Sequence, residues 1–151
     1  MFKKMLVCLD GSPLAESVLP YVTDEASFHH TQIVLFMAVP EPTIFSPGLP
    51  GIPPMPVETE GLLKQSQHSE IEARAYLNKI ADSFKEKKLK IETATGFGEA
   101  GTSIVSFAND NAVDLIALAT HGRGGLGRAV FGSVADFVLH QTKLPVLIIK
   151  P

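Results

Sequence analysis

Residues 121–133, HGRGGLGRAVFGS, hold the densest set of groups in this chain able to handle an anion. Gly122, Gly124, Gly125 and Gly127 fall within six positions, and Arg123 and Arg128, two of the chain's three arginines, stand among them. Glycines let backbone N–H groups turn inward and let an anion approach without meeting a Cβ. An apolar run precedes the stretch and a helical pattern follows it, so free amides and the positive dipole end of a helix would face the same point. The arginines would add charge-assisted bonds. Gly132 and Ser133 place a small residue and a hydroxyl further on. A glycine-rich connector from strand to helix has the same composition, and both readings stand at this point.

Two standard phosphate motifs are excluded. No Gly-Lys-Ser/Thr triplet exists, so the stretch is not a P-loop. Gly122, Gly124 and Gly127 do spell GxGxxG between a strand and a helix. The dinucleotide fingerprint also needs an acidic residue ending the next strand, and here that strand, PVLIIK, ends at Lys150. A nicotinamide site loses most of its support.

Asp10 closes an apolar run, in DGSP. It could accept bonds from ribose hydroxyls or an adenine amino group, or it could cap the helix beginning near Ser12. His121 sits in the glycine-rich stretch and suits either a ligand contact or a structural bond. His29, His30, His68 and His140 have no partners at metal-ligand spacing and read as surface. Cys8 lies mid-strand among apolar residues and reads as inert core. Ser12 and Ser133 have no evident His/Asp pair. The basic run FKEKKLK (84–90) reads as the solvated end of a helix.

These residues need a frame. The chain has 151 residues, 45% of them hydrophobic and 19% charged, which suits one folded domain. The net charge of −3 argues against a general nucleic-acid binder. No apolar run reaches the roughly 18 residues that span a bilayer. The start lacks a signal-peptide pattern. With one cysteine there is no internal disulfide, and a cytoplasmic setting is expected.

Five apolar runs, at 5–9, 32–39, 89–95, 114–120 and 145–150, read as strands, the third nearer an edge. Between them lie helical patterns. The first starts at Ser12-Pro13 and should kink or divide at Pro20. The second covers 58–87, with Ile71, Ala75, Ile80 and Phe84 on one face. The others cover 100–112 and 128–142. Alternating strands and helices predict a parallel sheet covered on both faces, with ligands at the carboxyl ends of strands one and four if these are neighbours. Residues 39–61 hold seven of the eleven prolines and can be neither helix nor central strand. They read as an excursion, ordered by proline stiffness or a partner, or as a mobile surface loop.

Taken together, LVCLDGSPLAESVL, IVLFMAVPEP and VDLIALATHGRGGLGRAVFGSVADFVLHQTKLPVLII make the chain resemble the universal stress proteins over nearly its full length. The ATP-binding branch carries a glycine, two residues, a second glycine, nine residues, then Gly-Ser or Gly-Thr. Gly122 and Gly132-Ser133 match that pattern, and Ala119 stands in place of the first glycine. The resemblance implies a single Rossmann-like α/β domain, of the adenine nucleotide α-hydrolase kind, with a five-stranded parallel sheet in order 3-2-1-4-5. It implies adenine and ribose near Cys8, Leu9, Asp10 and Ala38. Phosphates would lie along Ala119, Thr120, His121, Gly122, Arg123, Gly124 and Gly125, and at Gly132, Ser133 and Val134, with Leu118 also among the cofactor-binding residues. The cofactor would be ATP, with or without Mg, and no metal ligand would come from protein side chains. It further implies a homodimer through the last strand, Pro145 to Lys150, no nucleic-acid or membrane partner, and a stress sensor or adaptor with at most slow ATP hydrolysis and no catalytic residue. The alternative is a nucleotide-independent interaction protein of the same fold, acting through its dimer surface or the proline-rich segment. Alanine being the smallest departure from glycine, Ala119 is expected to weaken the fit rather than remove the site.

Overall fold

The structure, a computed structural model, describes residues 1–41, 59–121 and 132–151. Five parallel strands form one sheet: β1 (Lys4–Cys8), β2 (Gln32–Val39), β3 (Ile91–Phe97), β4 (Leu115–Ala119) and β5 (Val146–Ile149), in the order β3-β2-β1-β4-β5. Helices α1 (Pro13–Glu16), α2 (Leu19–His29), α3 (Thr59–Ser83), α4 (Ala100–Asp110) and α5 (Ser133–Gln141) connect them, with a short 3₁₀ turn, η1 (Lys85–Lys87), after α3.

The strand alternation divides the core. On one face Met5, Val7 and Leu9 pack with Val18, Val22 and Ala26 of the α1–α2 region and Leu77 of α3. On the other, Leu6 and Cys8 pack with Ile104 and Ala108 of α4 and Ala135 and Val138 of α5. The result is a three-layer sandwich with the expected strand order. The central strands are apolar on both sides because both faces are covered.

Pro20 divides the first helical pattern as expected. It has no N–H to donate to the carbonyl of Glu16, so α1 ends at Glu16 and the proline falls in the first turn of α2. Ser12 caps α1: its hydroxyl accepts the Ala15 N–H at 3.1 Å. Two expectations need correction. The third strand is Ile91–Phe97 rather than 89–95, because Leu89 and Lys90 serve the turn from η1. On α3, Ile71 is 65% exposed and Ala75 is exposed too. The inward face is instead Ala73, Tyr76, Leu77 and Ile80. Ile71 and Ile80 are nine residues apart, half a turn out of phase, so they cannot share a face. The glycine-rich stretch from 122 to 131 and most of the proline-rich segment, 42–58, lie outside the described residues.

Candidate functional site

From β1 the chain winds outward through β2 to β3, and from β4 it winds the other way to β5. β1 and β4 are neighbours, with Leu6 opposite Ile116 and Val7 opposite Ala117. Their carboxyl ends therefore form the place where strand order reverses, and a cleft of about 330 Å³ opens there. That size lies at the lower end of the range for small-molecule sites.

The expected site residues that are described all reach this cleft. Cys8, Leu9 and Asp10 come from the end of β1, and Ala38 from β2. Leu118, Ala119, Thr120 and His121 come from β4 and the residues after it. Gly132, Ser133 and Val134 come from the start of α5. Gly122, Arg123, Gly124 and Gly125 fall outside the described residues. Sequence reasoning missed the walls: Leu14 and Ala15 of α1, Phe36 of β2, Ala100 and Ile104 of α4, and Ala135. Their signal was present in the helical spacing of Ile104, but it named a core face and not the cavity that the core surrounds.

One end of the cleft is apolar. Cys8, Phe36, Ala38, Ile104 and Leu118 line it, a surface suited to a flat, weakly polar ring. Burial pushes the Cys8 thiol up to about 12, so it stays protonated near neutral pH and is not a nucleophile there.

The other end is set by α5. Its N-cap is Gly132, which has no side chain to satisfy the first amides. The first intrahelical bond runs from the Asp136 N–H to the Gly132 carbonyl at 2.9 Å. The amides of Ser133, Val134 and Ala135 therefore precede the helical ladder, at the positive end of a nine-residue helix. Thr120 holds this end in place. Its side-chain oxygen accepts the Gly132 N–H at 3.0 Å, and its own N–H donates to Ile149 at 2.9 Å. Thr120 is only 4% exposed. A Cβ added at Gly132 would stand 3.3 Å from the Thr120 oxygen, so the position is close-packed.

Asp10 is exposed at the rim, one residue beyond the buried run. It does not cap the helix, since Ser12 does. Its carboxylate accepts the Ser12 N–H at 2.9 Å and so fixes the turn through Gly11, whose φ of +83° favours glycine. Among the described lining residues there is no lysine or arginine. Among the described residues, positive potential there comes from the amides of α5.

Outside the cleft, His29, His68 and His140 sit one helical turn from Glu25, Glu72 and Asp136 on helix surfaces. Among the described residues no three His, Cys, Asp or Glu side chains gather as a metal site, and no helix is long and apolar enough to cross a membrane.

Comparison with known proteins agrees with this architecture. The model of the Universal stress protein family matches residues 1–150. The chain is 28% identical to universal stress protein Sll1388 of Synechocystis, over 99% of this chain and 98% of the relative. The solved structure of MJ0577 of Methanocaldococcus jannaschii superimposes with a TM-score of 0.78 at 24% identity, covering 100% of this chain and 97% of that one. A universal stress protein family protein from Arabidopsis thaliana, solved with AMP bound, gives a TM-score of 0.69 at 14% identity over 98% and 91% of the two chains.

Proposed function

The chain belongs to the universal stress protein family, and from that premise we propose that it is an ATP-binding member, a nucleotide-dependent sensor or adaptor of the stress response that works in the cytoplasm. The nucleotide would occupy the cleft between β1 and β4. The observation that carries this reading is the start of α5. A helix of nine residues begins at the mouth of a largely apolar cleft, and among the described residues no side chain caps its first amides.

Each part of an adenine nucleotide has a matching surface. The base suits the apolar wall at Cys8, Phe36, Ala38 and Ile104. The ribose hydroxyls can donate to the exposed Asp10 carboxylate. The phosphates suit the amides of Ser133 and Val134 at the positive end of α5, with Gly122 to Gly125 and Arg123 supplying reach and charge from the intervening stretch. Any Mg would be held through the phosphates. A relative of the same fold that binds AMP supports an adenine nucleotide as the ligand class. The lining favours holding over turnover: Asp10 is the one carboxylate among the described lining residues, and the buried thiol is protonated.

β5 would join two copies. It lies at one edge of the sheet. The carbonyls of Pro145 and Ile149 bond toward β4, so Val146 and Ile148 turn their backbone groups to the open edge. An apolar open edge is a template for another strand, and antiparallel pairing with its copy would close it two-fold.

Ala119 favours a second reading, a nucleotide-independent interaction protein using the β5 edge or the proline-rich segment. Its methyl lines the cleft where the family's ATP-binding pattern has none.

The test is calorimetric titration with ATP and GTP on the wild type and Gly132→Val. The wild type is expected to bind ATP in preference to GTP, and Gly132→Val to lose binding, because valine presses on Thr120 and fills the approach to the α5 amides. Equal affinity in both proteins overturns the site, and no binding by the wild type supports the second reading.

A further inference from the structure

The opposite end of the sheet carries chemistry that the nucleotide reading leaves unused. Six of the ten lysines, Lys3, Lys4, Lys85, Lys87, Lys88 and Lys90, fall where β1 and β3 begin. The Gln32 N–H donates to the Lys3 carbonyl at 2.9 Å and the Ile33 N–H to the Lys90 carbonyl at 2.8 Å. The start of β2 thus lies between Lys3 and Lys90. A cavity of about 210 Å³ opens beside it, lined by His30, Lys87, Lys88 and Lys90 together with Ser27 and Thr31.

Helix ends alone do not account for this charge. The C-terminal end of α2 points here, worth about half a negative charge. Three lysines line the cavity itself, and Lys3, Lys4 and Lys90 belong to strand starts rather than helices. Among the described residues, Lys85 pairs with Asp82 at 2.7 Å, whereas no carboxylate lies within 4.0 Å of the ammonium groups of Lys87, Lys88 or Lys90. Lys87 instead rests over the Phe84 ring and near the Thr23 hydroxyl. His30 (φ 58°) and Lys88 (φ 52°) end α2 and η1 in the left-handed conformation usual at a helix C-cap, and both residues line the same cavity.

We propose that this end of the molecule is a docking surface for a short, extended acidic segment of a partner protein. The charge is spread rather than focused. Lys3 and Lys90 are two strand spacings apart, about 10 Å, which an extended peptide covers in about three residues. A carboxylate can enter the cavity between Lys87, Lys88 and Lys90 while a neighbour meets Lys3, which shares that face of the sheet with Met5 and Val7. The acids nearby, Asp82, Glu86 and Asp114, leave this end in positive excess, so the rest of a chain of net charge −3 is more acidic than the total. A long polyanion, such as nucleic acid or a membrane surface, would run past the lysines onto that acidic remainder and be repelled. A short acidic segment would not. The surface is independent of the nucleotide cleft at the other end of the strands.

The test is fluorescence anisotropy of a labelled hexaglutamate peptide at low and physiological salt. The variants are K87E/K88E/K90E and, as a control of equal charge change, K64E/K79E/K143E. All six lysines are exposed, so both variants should keep the wild-type melting temperature and ATP affinity. The expected result is salt-sensitive binding that falls about tenfold or more in the first variant and no more than roughly twofold in the control. No binding at low salt, equal loss in both variants, or tighter binding of a single-stranded RNA 12-mer or phosphatidylserine vesicles would each overturn the proposal.

Discussion

Thr120 is the side chain on which the candidate site turns. It is almost wholly buried, and its oxygen is the acceptor for the N–H of the α5 N-cap. Thr120→Val keeps the shape and removes the acceptor. We expect a loss of about 1 to 2 kcal/mol in urea unfolding, from the stranded Gly132 N–H. ATP affinity should fall with it, and Thr120→Ser should restore both. A valine variant of unchanged affinity would show that the α5 start is held by other means. Ala119 gives a prediction of opposite sign. Ala119→Gly should tighten ATP binding by opening the cleft wall, while weakening the strand by about 0.5 to 1 kcal/mol. Calorimetry and urea titration read the two effects separately. Gly132-Ser133 and Ala119 were legible through the spacing of the motif that the family resemblance supplies. The Thr120–Gly132 bond was not legible, because a hydroxyl's partner twelve residues away depends on how the chain returns. Asp10 was legible as a residue of note with two possible roles, and of these the helix cap falls to Ser12 two positions later.

Among the elements, α4 shows how local chemistry sets a pH response. Its N-cap is Glu99, whose carboxylate accepts the N–H groups of Thr102 at 2.9 Å and Gly101 at 3.3 Å. The Thr102 backbone bond, then its hydroxyl, then the Gly101 bond hold the Glu99 carboxyl below its ordinary value of 4.5. With the folded value depressed, the cap's contribution is present above the unfolded value and is lost as pH falls through the folded one. Thermal melts should therefore separate wild type from Glu99→Ala near neutral pH and converge as pH falls through the depressed folded value, below the ordinary 4.5. A gap unchanged across that window would contradict the assignment. Strand runs and the break at Pro20 were readable because each depends on neighbouring residues. The inward face of α3 was not: its apolar residues are sparse, and Ile71 lies half a turn from Ile80. Gly101 belongs to this scale too. A Cβ there would meet the Phe137 ring at 2.5 Å, so the close packing of α4 on α5 rests on a missing side chain.

For the molecule as a whole, the sheet separates two kinds of surface. Its carboxyl end carries a cleft with helix amides, and its amino end carries lysines. The β5 edge is a third surface, the one proposed to pair with a second copy. Ile148→Pro removes an N–H that faces the open edge and not β4. It should shift the chain from dimer to monomer in sedimentation velocity while keeping a cooperative melt. A dimer that persists places the interface elsewhere. Strand order was legible before any coordinates because alternating strands and helices, together with the family resemblance, admit few arrangements. The gathering of lysines was not, since residues 3 and 90 become neighbours only through β2.

The most direct test of the proposed nucleotide site is to follow backbone amide resonances of the labelled protein during an ATP titration. The account predicts saturable shifts at Ser133, Val134 and Ala135, with smaller ones at Cys8 and Ala38, and none at Lys87 to Lys90. Shifts confined to the lysine end, or none at saturating ATP, would contradict it.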